Sequence, residues 1–217
     1  MYFLNRKHLS IIVRYVSFFI LTLSMSTQAS TKTFAIIQTS MGTIKLELFK
    51  DKAPKTVANF IQYAESAYYE GTLFHRVIPG FMIQAGGFDT NFRRKATNTP
   101  IKNEALPLLP NRRGTIAMAR TSNPHSATSQ FFINVADNNS LNKSRSNAGY
   151  AVFGKVVEGM IIADQISNAL TKVQNRMSDV PVQPIIIQMV TIQHPDLEKT
   201  ETKTKKEANK EISKTAK

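Results

Sequence analysis

The most informative part of this sequence is residues 74–87, which read FHRVIPGFMIQAGG. β-prone residues stand on both sides of the Pro-Gly pair, so we predict short strands over residues 73–77 and 82–85. Successive side chains of a strand point to opposite faces, which places Met82 and Gln84 on the same face. The stretch therefore predicts two short strands with a polar side chain set among apolar ones.

A second block of similar character lies downstream. Residues 117–120 read AMAR and residues 129–133 read SQFFI, where Gln130 and Phe132 share one strand face. The first block contributes one permanent cation, Arg76. An apolar pocket with a few directed polar groups is how small-ligand sites are built, and the two blocks predict such a site. Each apolar residue could alternatively be ordinary core, and Arg76 could be a surface ion-pair partner.

Working outward, the pattern predicts two helices. Pro54 suits a first helical turn, and one helical stripe follows it, formed by Val57, Phe60, Ile61 and Ala64. We therefore predict a helix over residues 54–66, and a second, shorter one over residues 160–168.

The remaining strands are predicted at residues 34–39, 43–49, 115–120, 131–135, 151–156 and 184–193. About eight short strands with two helices favour a barrel or a sandwich, and two helices suffice to plug both ends of a closed barrel. An open α+β sheet is an alternative that the pattern alone leaves open.

Composition excludes several classes of function. The chain has 217 residues, a formal net charge of +13 and no cysteine, which excludes disulfides, thiolate metal sites and cysteine nucleophiles. It contains no GxSxG, P-loop or GxGxxG motif, and no histidine is spaced with carboxylates as a metal ligand. The positive charge is spread out, and its clusters at residues 93–95 and 112–113 lack interleaved aromatics. A solvated basic surface is therefore favoured over a nucleic-acid site, and no metal or cofactor is predicted.

The first 29 residues have the pattern of a secretory signal. Arg6, Lys7 and Arg14 precede an apolar run at residues 15–25, and Thr27-Gln28-Ala29 offers small residues before a cleavage point. The alternative is a membrane anchor, but the run falls short of the ~20 residues needed to span a bilayer.

The last segment, residues 196–217, reads DLEKTETKTKKEANKEISKTAK. Its large apolar residues are too few to offset the entropy of ordering the chain, so we predict a Lys/Glu-rich disordered tail. A basic arm for acidic surfaces is the alternative. Residues 30–195 are left as the folded domain.

The two blocks resemble the cyclophilin family of peptidyl-prolyl cis-trans isomerases. The resemblance rests on residues 74–84, 129–133 and 152–156 and covers residues 33–195. Two further runs, IKNEA at residues 101–105 and YAVFGK at residues 150–155, are similar to bacterial exported cyclophilins. The family implies an eight-stranded antiparallel closed β-barrel capped by two α-helices, with a proline-binding groove on its outer face.

The resemblance also implies roles for individual residues. Arg76 matches the family's catalytic arginine, whereas the adjacent His75 is interpreted as structural. Nine further residues match substrate-binding positions of the family. They are the apolar residues Phe81, Met82, Phe132 and Leu141, the amides Gln84 and Gln130, the groove-strand residues Ala119 and Arg120, and the ring of Tyr150. Ser140 departs from the family, which usually has Trp or Phe there, and this weakens one wall of the groove.

The resemblance implies an isomerase that accelerates X–Pro isomerisation in exported proteins without a cofactor. Its partners are expected to be proline-containing polypeptides. We expect a periplasmic monomer that binds no nucleic acid and has no stable membrane insertion after signal cleavage. The alternative is a chaperone module that binds proline peptides with little turnover, which Ser140 favours by loosening the groove.

Overall fold

The structure is a computed structural model that describes residues 32–194. The predicted signal segment, residues 1–29, and the predicted tail, residues 196–217, lie outside the described residues. No helix in the described part is long and apolar enough to cross a membrane.

Residues 32–194 form eleven strands, two α-helices and one 3-10 turn. The strands are β1 (Thr33–Thr39), β2 (Gly42–Leu48), β3 (Thr72–Leu73), β4 (Arg76–Ile78), β5 (Met82–Ala85), β6 (Thr115–Met118), β7 (Phe131–Asn134), β8 (Val152–Glu158), β9 (Thr171–Gln174), β10 (Met177–Pro181) and β11 (Ile186–Gln193). The helices are α1 (Pro54–Glu65) and α2 (Met160–Ser167), and the 3-10 turn is Asn139–Leu141.

Nine strands form one antiparallel sheet in the order β3-β11-β1-β2-β8-β6-β7-β5-β4. The two edge strands, β3 and β4, are consecutive in the chain and separated by Phe74 and His75. The Phe74 N–H donates to the Ile185 carbonyl at 2.9 Å, and the His75 N–H donates to the Gln84 carbonyl at 3.1 Å. The sheet therefore curls until its two edges meet at this segment.

The predicted mainly β, antiparallel, barrel-like fold with two helices is confirmed. The strand predicted at residues 73–77 is divided into β3 and β4, because the chain changes its pairing partner from β11 to β5 at this point. Taken as one bent strand, these two bring the curled sheet to the eight strands expected. The curling also excludes the open sheet.

The hairpin formed by β9 and β10 was not predicted. Its two turn residues, Asn175 and Arg176, have φ of 52° and 63°, which is the left-handed conformation that a two-residue hairpin turn requires. The usual signal for such a turn is glycine at the second position, and Arg176 gives no such signal. The hairpin lies against β4 through β10.

The two helices pack on different strands, α1 against β11 and α2 against β2 and β5. Three residues of the predicted stripe, Val57, Phe60 and Ala64, are buried, while Ile61 is half-buried. The Phe60 ring lies between 5.2 and 5.6 Å from three other rings, those of Tyr69, Phe131 and Phe153. The stripe therefore packs on an aromatic core.

A distant carboxylate caps the N-terminus of α1. Ala53 at the N-cap position makes no side-chain cap bond. Instead Glu104 accepts hydrogen bonds from the Thr56 N–H and hydroxyl, both at 2.8 Å, and from the Lys55 N–H at 3.2 Å. A negative charge is favourable there because the first N–H groups of a helix lack partners and the helix dipole is positive at that end.

Candidate active site

Strand register brings the predicted site residues into one row. Opposed residues of an antiparallel ladder share a face of the sheet. Arg76 on β4 lies opposite Gln84 on β5, and Gln84 lies opposite Phe132 on β7. Phe132 in turn lies opposite Ala117 on β6, and Ala117 lies opposite Val152 on β8. Residues from five strands therefore stand side by side.

This row lies on the outer face of the curled sheet. Alternation sends the intervening side chains into the main core, among them Ile83, Ile116 and Ile133. A separate apolar cluster forms on the opposite face around Met82, Ala117, Phe132 and Val152. The site is therefore outside the barrel interior, as the family resemblance implied.

A cleft of about 180 Å³ opens over the row. Nine of the ten predicted site residues line it, namely Arg76, Phe81, Met82, Gln84, Ala119, Arg120, Phe132, Leu141 and Tyr150. The tenth, Gln130, lines an adjoining pocket of about 140 Å³, which shares Gln84, Ala119 and Arg120 with the cleft. The structure thus brings all ten together.

A larger groove of about 640 Å³ runs along α1 and is lined by residues such as Val57, Ala58 and Ile61. Its lining includes none of the predicted site residues. The smaller cleft combines an apolar wall with two cations and an amide, and we therefore place the active site there.

Two amides are paired at the junction of the cleft and the adjoining pocket. Gln84 Nε2 donates to Gln130 Oε1 at 2.9 Å, and the Ala119 N–H donates to the Gln130 carbonyl at 2.9 Å. A Cβ on Gly87 would lie 2.5 Å from Gln130 Cδ. The position of the Gln130 side chain therefore depends on glycine at residue 87.

Arg120 is held at the rim of the cleft. Its guanidinium lies 4.4 Å from the centre of the Tyr150 ring, and it donates hydrogen bonds to the Gly149 carbonyl at 3.1 Å and the Thr121 carbonyl at 2.9 Å. The Tyr150 ring meets Phe132 edge-on, with centroids 5.6 Å apart. Arg120 and Tyr150 therefore support each other as one side of the cleft.

A buried asparagine network supports two walls of the cleft, and sequence reasoning missed it. Asn138 Nδ2 donates to the Phe81 carbonyl at 2.8 Å and to Asn134 Oδ1 at 2.7 Å. Asn111 Nδ2 donates to the Leu141 carbonyl at 3.1 Å. All three asparagines are buried. The network fixes the segments that carry Phe81 and Leu141. No sequence pattern indicates this role, because Asn111 and Asn138 lie in loops and Asn134 is the last residue of β7.

Ser140 lies on the 3-10 turn beside Leu141 and is exposed. Its carbonyl accepts a hydrogen bond from Asn147 Nδ2 at 2.7 Å, and it is not among the residues that line the cleft. The wall that an aromatic residue would form at this position is therefore not replaced by Ser140.

Arg76 lines the cleft and also makes an ion pair. Its Nε lies 3.5 Å from Oδ2 of Asp179 on β10. The ion-pair partner that the sequence left as an alternative for Arg76 is therefore present beside the cleft. Asp179 was missed because the hairpin that carries it was not predicted.

His75 is 4% exposed and is not a cleft residue. Its ring lies 4.7 Å from the ring of Phe88, and its Nδ1 has no hydrogen-bond partner within the described chain. Burial lowers the pKa of His75 from 6.5 to about 4, and the charges of Arg76 and Arg94 act in the same direction. These features agree with a structural role.

Within residues 32–194, no group of three or more His, Asp or Glu side chains is arranged to hold a metal ion. The polar side chains that line the cleft are instead two guanidinium groups, one amide and one phenol.

Comparison with known proteins gives a consistent result. A family model described as cyclophilin type peptidyl-prolyl cis-trans isomerase/CLD matches residues 34–192. A peptidyl-prolyl cis-trans isomerase of Acinetobacter baylyi is 56% identical over 170 residues, covering 78% of this chain and 90% of the relative. Peptidyl-prolyl cis-trans isomerase B of Escherichia coli is 52% identical over 157 residues, covering 71% of this chain and 96% of the relative.

Solved structures agree. A cyclophilin-type peptidyl-prolyl cis-trans isomerase of Cryptosporidium parvum aligns with a TM-score of 0.63 at 31% identity, covering 75% of this chain and 98% of that one. A second structure of that protein, determined in the presence of the dipeptide Ala-Pro, aligns with a TM-score of 0.62 at 32% identity, covering 74% and 98%. With the site geometry and these likenesses together, the chain belongs to the cyclophilin-type peptidyl-prolyl cis-trans isomerase family.

Proposed function

We propose that this chain accelerates cis–trans isomerisation of X–Pro bonds in exported polypeptides, with Arg76 as its catalytic residue. The observation that carries the proposal is the row in which Arg76, Gln84 and Phe132 stand side by side over one apolar cleft.

The chemistry needs no covalent intermediate. A peptide bond resists rotation with a barrier of ~18–20 kcal/mol because resonance gives its C–N bond double-bond character. Twisting the bond removes this resonance, so the proline nitrogen regains a lone pair and can accept a hydrogen bond. A fixed cation beside that nitrogen binds the twisted state better than either planar state, and such differential binding lowers the barrier.

Arg76 suits this role because its guanidinium is permanently charged and rich in donors. Its two terminal nitrogens make no hydrogen bond with other described residues, so they remain available to a substrate. The apolar wall around Phe132 holds the pyrrolidine ring while the carbonyl side of the bond rotates. On this proposal Gln84 and Gln130, whose side-chain amides pair at 2.9 Å, bond the substrate backbone.

The setting of the activity follows from sequence features and family likeness. The signal-like pattern of residues 1–29 supports export, and the similarity to bacterial exported cyclophilins supports the periplasm as the compartment. We propose that proline-containing chains in the course of folding are the substrates. On this proposal the protein acts as a monomer that needs neither nucleic acid nor membrane insertion.

The test is Arg76→Ala in the full chain, assayed by protease-coupled turnover of a proline peptide. Loss of a preorganised charge of this kind reduces rate by ~10²–10³, and we expect a loss of kcat/KM in that range with an unchanged melting temperature. Arg112→Ala is the control, because Arg112 is an exposed arginine that lies outside the cleft. Near-wild-type turnover by the Arg76 variant would contradict the proposal.

The same samples separate an isomerase from a chaperone. A chaperone that merely binds proline peptides would suppress aggregation of an unfolded protein without accelerating isomerisation. We expect the wild-type protein to accelerate isomerisation, and an absence of acceleration together with suppressed aggregation would favour the chaperone.

A further inference from the structure

We propose that Asp179 is a positioning residue that holds the Arg76 guanidinium at the cleft. The inference rests on the proposed function, in which Arg76 is the catalytic residue, and adds a residue from a hairpin that contributes nothing to the cleft lining.

The contact is made on one side of the guanidinium. Asp179 Oδ2 lies 3.5 Å from Arg76 Nε, on the stem side of the fork, and neither terminal nitrogen of Arg76 donates a hydrogen bond to another described residue. An arginine has several rotatable bonds, and an ion pair at Nε reduces its freedom without using the donors that face a substrate. The side chains of Arg76 and Asp179 are 40% and 35% exposed, so the ion pair is partly shielded from water.

The backbone at Asp179 has an unusual conformation that bears on this contact. The register between β9 and β10 shifts between Met177 and Val180, so Asp179 lies in a bulge. Its φ of 61° is left-handed, a conformation that Asp and Asn tolerate better than most residues with side chains. Bulges often re-aim a side chain near an active site. Val180, the next residue, is buried and anchors the strand beside β4.

The charge of Asp179 has no duplicate at the site. Among the described residues that line the cleft and the adjoining pocket, none is acidic, whereas Arg76, Arg94 and Arg120 are cationic. Without Asp179, Arg76 would have no partner of opposite charge within this set. The carboxylate therefore supplies an opposite charge 3.5 Å from Arg76 Nε, and this attraction favours the position of the guanidinium beside the cleft.

The experiment compares Asp179→Asn with wild type in the full chain. Asparagine keeps the shape of aspartate and tolerates the left-handed backbone, but it lacks the charge. We expect kcat to fall about two- to five-fold, the range that a partly exposed ion pair supports, with KM and melting temperature unchanged. Asp179→Gly, which also suits this backbone, should give at least as large a loss. Glu158→Gln is the control, because it removes an equal charge from the Lys45 ion pair outside the cleft.

A second arm repeats Asp179→Asn in the Arg76→Ala background. If Asp179 acts through Arg76, the residual rate should not fall further. An equal loss in that background, an unchanged kcat in the single variant, or a loss confined to KM would each overturn the inference. Retention of wild-type turnover by Arg76→Ala alone would instead reject the proposed role of Arg76, so the two failures are distinguishable.

Discussion

The buried His75 predicts how the stability of this protein depends on pH. Burial lowers the pKa of His75 in the folded protein from 6.5 to about 4. Protonation therefore favours the unfolded chain, which binds the proton at the higher pKa. Stability from this residue is complete above about pH 6.5, falls as the pH drops below that value, and levels off below about pH 4.

The size of the effect follows from the two pKa values. Each unit of difference corresponds to ~1.4 kcal/mol, so the full loss is about 3 kcal/mol. Between about pH 7.5 and about pH 5 the loss from His75 amounts to about 2 kcal/mol. Carboxylates lose their contributions at lower pH, as with Asp164, where the hydrogen bond from Arg113 lowers the pKa below 3.8.

The assay is urea unfolding at a series of pH values, for wild type and for His75→Gln. Glutamine is neutral throughout, so the free energy of unfolding of the variant should fall about 2 kcal/mol less than that of wild type between about pH 7.5 and about pH 5. His125→Gln is the control for the replacement of a histidine by glutamine at an exposed position. Parallel pH profiles for wild type and His75→Gln would refute the reasoning.

Three other changes test other parts of the structure. Glu104→Ala removes three hydrogen bonds from the first turn of α1 and should lower the free energy of unfolding by about 1–2 kcal/mol, with a smaller loss for Glu104→Gln. A thermal or urea melt identical to that of wild type would contradict this prediction. Gly87→Ala places a Cβ against Gln130 and should lower kcat/KM several-fold in the peptide assay. The melting temperature should hardly change, because the flexible Gln130 side chain can move aside at little cost, and an unaltered kcat/KM would count against a role for the amide pair. Family members with Trp at the position of Ser140 use its indole as a wall for cyclosporin-type cyclic peptides. Ser140→Trp should therefore tighten cyclosporin binding by at least ~10-fold in a fluorescence titration, since partial burial of an indole at ~25 cal/mol per Å² exceeds ~1.4 kcal/mol. Tight inhibition of the unmodified protein would contradict this prediction.

Much of the site was predictable because its cues are local. Met82 and Gln84 share a face as a consequence of strand geometry, and the same holds for Gln130 and Phe132. The structure confirms the strand at residues 82–85 and places that at residues 131–134 within one residue of the prediction. Arg76 was singled out as the one cation in the first block. The family resemblance then joined these blocks into one groove.

The amino-acid sequence by itself determined the strand and helix periods, the apolar stripe of α1 and the residue types available to the cleft, because these depend on spacing along the chain. Only the tertiary structure decided which residues meet across it. The row from Arg76 to Val152 depends on pairing register, and the cap from Glu104 depends on a loop crossing to α1. The ion pair of Asp179 depends on a bulge in a hairpin with no glycine signal. Such contacts are set by the packing of distant segments, and no local pattern encodes them.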